Sequence, residues 1–176
     1  GKLMITAIVY QSNTGFTEKY AMMLAEATLL KVVALSEIKK AIKPKAEIIY
    51  LGWLRGGIIS GLNKVRNKYQ IKVIGAVGLL GDNEEYLEMV KKQNKIYETP
   101  LFYLPGGINR EKQKGFNKWL FNLVIQILIK GMNKKPESEI TEEELKRIHY
   151  MEHGCDFVSM DHLKELIDWY EEKKGW

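Results

Sequence analysis

The sequence predicts an α/β domain in which five parallel strands form one sheet with helices on both faces. Five short apolar runs recur between residues 3 and 104, and segments with helical spacing separate them. The runs are largely continuous in apolar residues, as in strands buried on both faces. Four of them lead directly into a loop that contains glycine. Alternating strands and helices favour right-handed crossovers, and in such sheets ligands lie beyond the carboxyl ends of the strands.

The first strand and helix have the clearest patterns. Residues 3–10 are short, apolar and partly β-branched, which predicts a buried strand. A helix is predicted over 15–28, because apolar residues recur there at positions i, i+3, i+4 and i+7. Its predicted inward face consists of Tyr20, Met23, Leu24 and Ala27.

The next three elements are brief. Residues 31–34 predict a second strand, and 36–42 predict a helical turn with Ser36 as its N-cap. Pro44 ends this turn, because the residue before a proline disfavours the helical conformation. Residues 47–52 are mostly apolar and predict a third strand.

Two more strands complete the predicted sheet. A helix is expected over 58–69 and a fourth strand over 72–77. The triplet Gly81-Asp82-Asn83 has the composition of a turn, and it separates this strand from a helix over 84–94. The apolar run at 101–104 predicts the fifth strand.

Helices fill the rest of the chain. A long helix is predicted over 110–130, and a polar linker follows it. Thr141 and Glu144 have the spacing of a capping box, which begins a further helix. The last amphipathic helix is expected over 160–173.

The length of 176 residues suits one compact domain, with a core over 3–130 and a helical extension over 133–176. The formal net charge is +5, but the basic residues are scattered and no nucleic-acid motif is visible. A single cysteine, Cys155, excludes a disulfide within the chain and favours a reducing, cytoplasmic location. The longest apolar run, 120–129, is too short for a transmembrane helix.

The loop after the first strand is the strongest candidate site. It leads directly into a helix, whose first backbone N–H groups have no partner within the helix and attract an anion. The hydroxyl groups of Ser12, Thr14 and Thr17 could donate to a phosphate, and Gly15 permits a close approach. The loop has neither the lysine of a Walker A motif nor a Gly-x-Gly-x-x-Gly pattern. The alternative is ordinary helix capping by serine or threonine. The residues are Ser12, Asn13, Thr14, Gly15, Phe16 and Thr17.

This pattern resembles the FMN-phosphate loop of flavodoxins. The chain looks most like the flavodoxin-domain family that includes the oxygen-independent, flavodoxin-like protoporphyrinogen oxidases. Two further segments carry the likeness, 52–57 after the third strand and 102–107 after the fifth. The resemblance implies a flavodoxin-like, doubly wound sheet with strand order 2-1-3-4-5 and extra C-terminal helices. It also implies FMN as cofactor.

The resemblance further implies which residues surround the flavin. The loop 12–17 would hold the phosphate. One side of the ring would be flanked by Trp53, Leu54, Arg55, Gly56 and Gly57, and its other side or its edge would be lined by Gly78, Leu79, Leu80 and Asp82. A nearby wall would be formed by Pro105, Gly106 and Gly107.

Single residues of these loops keep alternative interpretations. Trp53 could stack on the flavin or belong to the core, and Arg55 could balance the charge of a reduced flavin or face solvent. Asp82 could accept a hydrogen bond from the cofactor or simply serve the turn. Unlike many flavodoxins, the segment 78–82 has no aromatic residue, and Tyr86 is expected to lie already on the following helix.

Two features outside the loops remain open. His149 and His153 have the i, i+4 spacing of metal ligands, but surface histidines are the commoner explanation, so we predict no metal. The segment 119–129 is apolar most of the way round. Either the C-terminal helices or a dimer partner cover it, or it contacts a membrane surface or a lipophilic substrate. We favour coverage.

Three functions are therefore carried forward. The first is an FMN-dependent oxidoreductase acting on a quinone, a porphyrinogen-type compound or another redox partner, with the chemistry residing in the flavin and no catalytic side chain named. The second is a flavodoxin-type electron carrier that docks on a protein. The third is a cofactor-free interaction module with the same fold.

Overall fold

A computed structural model describes residues 3–79, 81 and 83–174 of the chain. The chain divides into two compact units. The first consists of the residues up to 106 together with those from 158 onward, and the second consists of residues 107–157.

The elements are numbered along the chain. The first unit holds β1 (Ile5–Gln11), α1 (Phe16–Thr28), β2 (Lys31–Ala34), α2 (Ile38–Ala41), β3 (Glu47–Arg55), β4 (Ile58–Ile59), α3 (Leu62–Val65), β5 (Gln70–Gly78), α4 (Glu84–Gln93) and β6 (Leu101–Pro105). The second unit holds β7 (Gly107–Ile108), α5 (Gly115–Asn133), α6 (Glu142–His153) and β8 (Cys155–Asp156). The last helix, α7 (Lys164–Lys173), belongs again to the first unit.

The first unit is built on a sheet with strand order β2-β1-β3-β5-β6, in which these five strands pair in parallel. The short β4 pairs antiparallel with β3 outside this path. The predicted α/β class and the mostly parallel central sheet are confirmed, and the arrangement is consistent with a flavodoxin-like fold. The first connection leads from β1 to β2 on one side of it, and the next leads from β2 past β1 to β3 on the other side. The direction in which strands are added therefore reverses at β1. The carboxyl ends of β1 and β3 therefore form the switch point where ligands bind in such sheets.

Two apolar layers cover the sheet, because alternate residues of each strand point to opposite faces. On one face Ala7 and Val9 of β1 pack with residues of α2, α3 and α4. On the other face Ile8 packs with α1 and with the C-terminal segment. The continuous apolar runs in the sequence are thus explained by burial on both sides.

The C-terminal segment completes the second of these layers. A 3₁₀ turn at Met160–Leu163 leads into α7. Leu163 and Leu166 are fully buried and Tyr170 is nearly so, in the cluster that also contains Leu24 of α1. The end of the chain therefore covers the sheet beside α1.

Two predictions about local structure were wrong in detail. The buried face of α1 contains Tyr20 and Leu24, but Met23 is half-buried and Ala27 is exposed. Phe16 and Thr28 at the two ends of the helix are buried instead, which rotates the buried stripe. Ser36 is not an N-cap, because the 3₁₀ turn already begins at Leu35, with Ala34 before it.

Two predicted helices differ from the structure. The predicted helix 58–69 was wrong over most of its length: β4 occupies its start, and the α-helix runs only from Leu62, after Gly61 with φ +78°, to Val65. The second helix, predicted over 110–130, begins later than expected, because Gln113 and Lys114 have extended backbone. Its first predicted residues form a separate 3₁₀ turn, Arg110–Lys112. The α-helix α5 starts at Gly115, whose φ is +56°.

The second unit consists of α5, α6 and the two-stranded β7–β8 ladder. The predicted helix start at Thr141 is confirmed, since its Oγ1 accepts a hydrogen bond from Glu144 N–H at 3.1 Å. The Glu144 carboxylate forms an ion pair with Lys135 Nζ at 2.6 Å. Across the described ranges, we find no helix that is both long and apolar enough to cross a membrane.

Candidate functional site

The loop after β1 connects the strand to α1 through a left-handed glycine. Gly15 is the N-cap of α1 with φ +102°, a conformation that favours glycine. Its N–H donates to Ser12 Oγ at 3.0 Å, which closes the loop on itself. Because glycine has no side chain, it cannot cap the helix as serine or threonine would. The first turn of α1 therefore has the chemistry of an anion-binding helix N-terminus.

The six residues predicted for this loop divide into two groups. Ser12, Thr14 and Gly15 are partly exposed and Asn13 is exposed, so a ligand can reach them. The other two already belong to α1 and are buried: Phe16 is 7% exposed and Thr17 is 1% exposed. Side-chain contacts to a ligand are thus available from positions 12 to 14.

A carboxylate lies close to this loop. Glu18 stands in the first turn of α1, where a negative side chain interacts favourably with the helix dipole. Burial, followed by the charge of Glu18, raises the pKa of Tyr10 on β1. Any anion bound at the N-terminus of α1 would share this field with Glu18, which opposes its binding.

The segment after β3 was predicted as a loop, and this was wrong for Trp53, Leu54 and Arg55. These residues continue β3, and Gly56 and Gly57 form a two-residue turn into β4. Both glycines have positive φ, +58° and +84°, as a type I′ hairpin turn requires.

This hairpin presents Trp53 and Leu54 partly exposed, with Arg55 and Gly56 exposed at its tip. The Trp53 carbonyl accepts a hydrogen bond from Ser60 N–H at 2.9 Å. A ligand beside the hairpin would therefore meet a fixed strand arm rather than a flexible loop.

Asn94 anchors the hairpin from below, and sequence reasoning missed it. Its side chain is buried at the end of α4. The amide oxygen accepts from Ile59 N–H at 2.9 Å, and the amide nitrogen donates to the carbonyls of Gly57 at 2.8 Å and Val90 at 2.7 Å. One side chain thus joins the turn, β4 and α4.

The segment after β5 is held by the neighbouring strand β6. Gly81 N–H donates to the Tyr103 hydroxyl at 3.0 Å. A Cβ placed at Gly78 would lie 2.9 Å from Leu54 Cδ1 and 3.2 Å from Tyr103 Cε2. Leu54 and Tyr103 therefore converge over Gly78 from both sides of β5.

The other members of this predicted segment differ in exposure. Leu79 is 48% exposed, while Leu80 and Asp82 lie outside the described residues. Tyr86 lies on α4, as predicted. The aromatic ring that sequence reasoning did not find in this loop comes instead from Tyr103 on the adjacent strand.

Pro105 and Gly106 connect the end of β6 to α1 and β5. The Tyr20 hydroxyl donates to the Pro105 carbonyl, and Gly106 N–H donates to the Gly78 carbonyl at 2.9 Å. A Cβ at Gly106 would lie 3.8 Å from Phe16 Cβ. The predicted wall residues 105 and 106 are therefore tied to α1, the helix that follows the loop after β1. Gly107 begins β7 in the second unit, where it pairs with Asp156.

A groove of about 800 Å³ opens beside Ser12 between the ends of β1, α2 and α3. Of the predicted site residues, only Ser12 lines it. The rest of its lining is largely polar and includes three lysines. The lining residues are Tyr10, Gln11, Ser12, Glu18, Ala34, Leu35, Ser36, Ile38, Lys39, Asn63, Lys64, Asn67 and Lys68.

The histidines and the cysteine in the second unit do not assemble a metal centre. The His149 and His153 rings lie 4.7 Å apart between centroids. Within the described part of the chain, however, no three His, Cys, Asp or Glu side chains form a group that could hold a metal ion. Burial raises the pKa of the Cys155 thiol. A hydrogen bond with the backbone of Ile108 lowers this pKa in part, and the charge of Asp156 raises it further.

Comparison of the chain with protein-family models finds no match, and a search of curated proteins finds no match either.

Proposed function

We propose that this chain is a flavodoxin-like flavoprotein that holds FMN by its phosphate at residues 12–17 and acts as an oxidoreductase or in electron transfer. One observation carries the proposal. A helix N-terminus with a left-handed glycine as N-cap follows β1, one of the two strands that form the switch point of the parallel sheet. Such a position combines open backbone N–H donors with the positive end of a helix dipole.

The surrounding residues fit a planar ring next to a bound phosphate. The ends of β3, β5 and β6 are in register, with Gly52 opposite Ala76 and Ala76 opposite Tyr103. Tyr103 in this row, and Trp53 and Leu54 directly beyond it, offer apolar and aromatic surface. Aromatic and aliphatic side chains at this place shield a flavin ring from water and shift its potential.

FMN, when bound, supplies the electron-transfer chemistry. The residues of the chain bind, orient and shield it. Ser12 and the N-terminus of α1 would hold the phosphate, while the Trp53 hairpin would flank the ring. Arg55 at the hairpin tip would balance negative charge that develops on the ring. Candidate partners are a quinone, a porphyrinogen-type compound or a redox protein, in the cytoplasm.

Titration of the purified protein with FMN and with riboflavin, followed by flavin fluorescence, tests the proposal. Riboflavin lacks the phosphate, so we expect it to bind at least about tenfold more weakly than FMN. Thr14→Glu places a carboxylate in the loop and should weaken FMN binding by at least about tenfold. Thr99→Glu, at the opposite edge of the sheet, is the matched control.

A second variant predicts a gain of affinity, which damage to the fold cannot imitate. Glu18→Gln removes the carboxylate in the first turn of α1 and should tighten FMN binding by about threefold. Glu26→Gln, in the last turn of α1, should leave it unchanged. Failure to bind either flavin would exclude the redox function and leave the cofactor-free module.

A further inference from the structure

The helix α5 exposes a continuous apolar face. Phe116, Trp119 and Ile127 are 69%, 59% and 59% exposed. Three more apolar side chains are about four-tenths exposed, and together they form what we call the apolar face of α5. Its members are Phe116, Trp119, Leu120, Leu123, Val124 and Ile127.

These six positions are one stripe of the helix. They follow the i, i+3, i+4 and i+7 spacing that places side chains on the same side. The buried residue of α5, Ile125, lies on the opposite side. The apolar face is therefore not the side by which α5 packs in its own unit. Apolar patches of this kind, left in solvent, mark interaction sites.

The segment that carries this face is rich in positive charge. Between Glu111 and Glu137 there is no acidic residue, whereas the same stretch contains six lysines. All six are exposed. Two of these lysines do not border the face freely, because Lys135 is paired with Glu144 and Lys118 precedes the buried Ile125 by seven residues, on the opposite side of the helix. Lys130 and Lys134 follow Ile127 at i+3 and i+7, so they continue the stripe of the apolar face. The lysines are Lys112, Lys114, Lys118, Lys130, Lys134 and Lys135.

We propose that the apolar face of α5 docks on the surface of an anionic lipid membrane, with the helix lying parallel to it. A helix with aromatic and aliphatic residues on one side and lysines at its margins is suited to the boundary between headgroups and acyl chains. A second copy of this chain fits the face less well, because it would bring two sets of lysines together. The proposal does not depend on FMN binding, so the two can fail separately.

Co-sedimentation of the full chain with lipid vesicles tests the proposal. Neutral phosphatidylcholine vesicles are compared with vesicles that also contain about 30 mol % phosphatidylglycerol. We expect binding to the anionic vesicles at low salt, weakening as salt rises. Lipids with brominated acyl chains should quench tryptophan fluorescence, and Trp119→Phe should abolish most of that quenching, because Trp119 is the tryptophan on the apolar face.

Two pairs of variants separate the apolar from the electrostatic contribution. Leu123→Gln with Ile127→Gln should weaken binding by at least about tenfold, since both side chains enter the lipid boundary. The matched control, Met4→Gln with Tyr97→Gln, changes two exposed apolar residues of the first unit and should change binding less than about twofold.

Charge reversal provides the second pair. Lys130→Glu with Lys134→Glu should weaken binding by at least about tenfold, because each lysine near an anionic surface contributes roughly a factor of five. Lys64→Glu with Lys68→Glu changes the net charge by the same amount and should leave at least half of the binding. Equal effects of the two reversals would show attraction by net charge alone and overturn the proposal.

Other outcomes also overturn the proposal. One is equal binding to neutral and anionic vesicles, and another is no binding to either. A third is self-association of the chain, seen by size-exclusion chromatography without lipid and abolished by Leu123→Gln with Ile127→Gln. The apolar face of α5 would then bind a second copy of the chain rather than a membrane. Circular dichroism of each variant shows that the helices remain folded.

Discussion

Replacing Asn94 by alanine should destabilise the first unit through two backbone groups. The Asn94 amide satisfies Ile59 N–H and the Gly57 carbonyl, and both of these residues are buried. The third partner of the amide, the Val90 carbonyl, keeps the backbone hydrogen bond from residue 94 N–H at 3.0 Å. Asn94→Ala therefore leaves one donor and one acceptor unsatisfied in a buried place.

The size of this destabilisation follows from the free-energy cost of buried polar groups that have no hydrogen-bond partner. A buried polar group without a partner costs about 1–3 kcal/mol, so two groups cost about 3 kcal/mol in total when part of the cost is relieved by relaxation. For a chain of 176 residues each kcal/mol lowers the melting temperature by about 2–4 °C. We expect the melting temperature of Asn94→Ala to fall by about 6–12 °C.

Urea unfolding followed by circular dichroism measures this free energy. Asn67→Ala removes an exposed asparagine and should change the free energy of unfolding by less than about 0.5 kcal/mol. A loss below about 1 kcal/mol for Asn94→Ala would refute the assignment of the two hydrogen bonds.

Asn94→Asp sharpens the same test through pH. The new side chain keeps an acceptor for Ile59 N–H, but its second oxygen faces the carbonyls of Gly57 and Val90 and needs a proton to donate. Its pKa in the folded state is therefore raised above the unfolded value of about 3.9. A raised pKa gives stability that is present below the unfolded pKa and is lost as pH rises through the folded pKa. Asn94→Asp should be most stable in mild acid.

Three further substitutions or measurements test other parts of the structure. Gly61→Ala would place a Cβ 2.3 Å from the Tyr50 hydroxyl at a φ of +78°, so it should cost at least about 2 kcal/mol in urea unfolding. A hydrogen bond from Lys135 lowers the pKa of Glu144, and a lowered pKa gives stability above the unfolded pKa that is lost as pH falls through the folded pKa. The melting temperature of Glu144→Gln should thus lie below that of the native chain at pH 7, and the difference should shrink as the pH falls into the acid range. Burial raises the pKa of Cys155, so iodoacetamide should label it more slowly at neutral pH than it labels free cysteine, and faster as pH rises.

The sheet could be predicted because its signal is local. The runs that became β1, β3 and β5 are apolar over consecutive residues, and burial on both faces demands this. The start of α1 was also predictable, since glycine after two hydroxyl residues marks a strand-to-helix turn. The hairpin of β3 and β4 left a local signal too: Gly56-Gly57 between two short, mostly apolar runs indicates a two-residue turn.

The contacts that fix the candidate site could not be predicted in this way. Asn94 reaches Gly57 across 37 positions of the chain, and Tyr103 reaches Gly81 across 22. Both residues look like ordinary members of a helix end and a strand. Their roles depend on which strands become neighbours, which is a property of the folded sheet rather than of any short segment.

The position of α7 has a consequence for the chain while it is being synthesised. Leu163 and Leu166 cover the same sheet face as Leu24, yet more than fifty residues separate them from the end of β6 at Pro105. At about 5–20 residues per second, a ribosome needs roughly 3–11 s to add that stretch. During this time the sheet face beside α1 lacks the cover that Leu163 and Leu166 provide. A nascent chain that stops before residue 163 would keep this apolar face exposed, and chains with such surface are prone to aggregate.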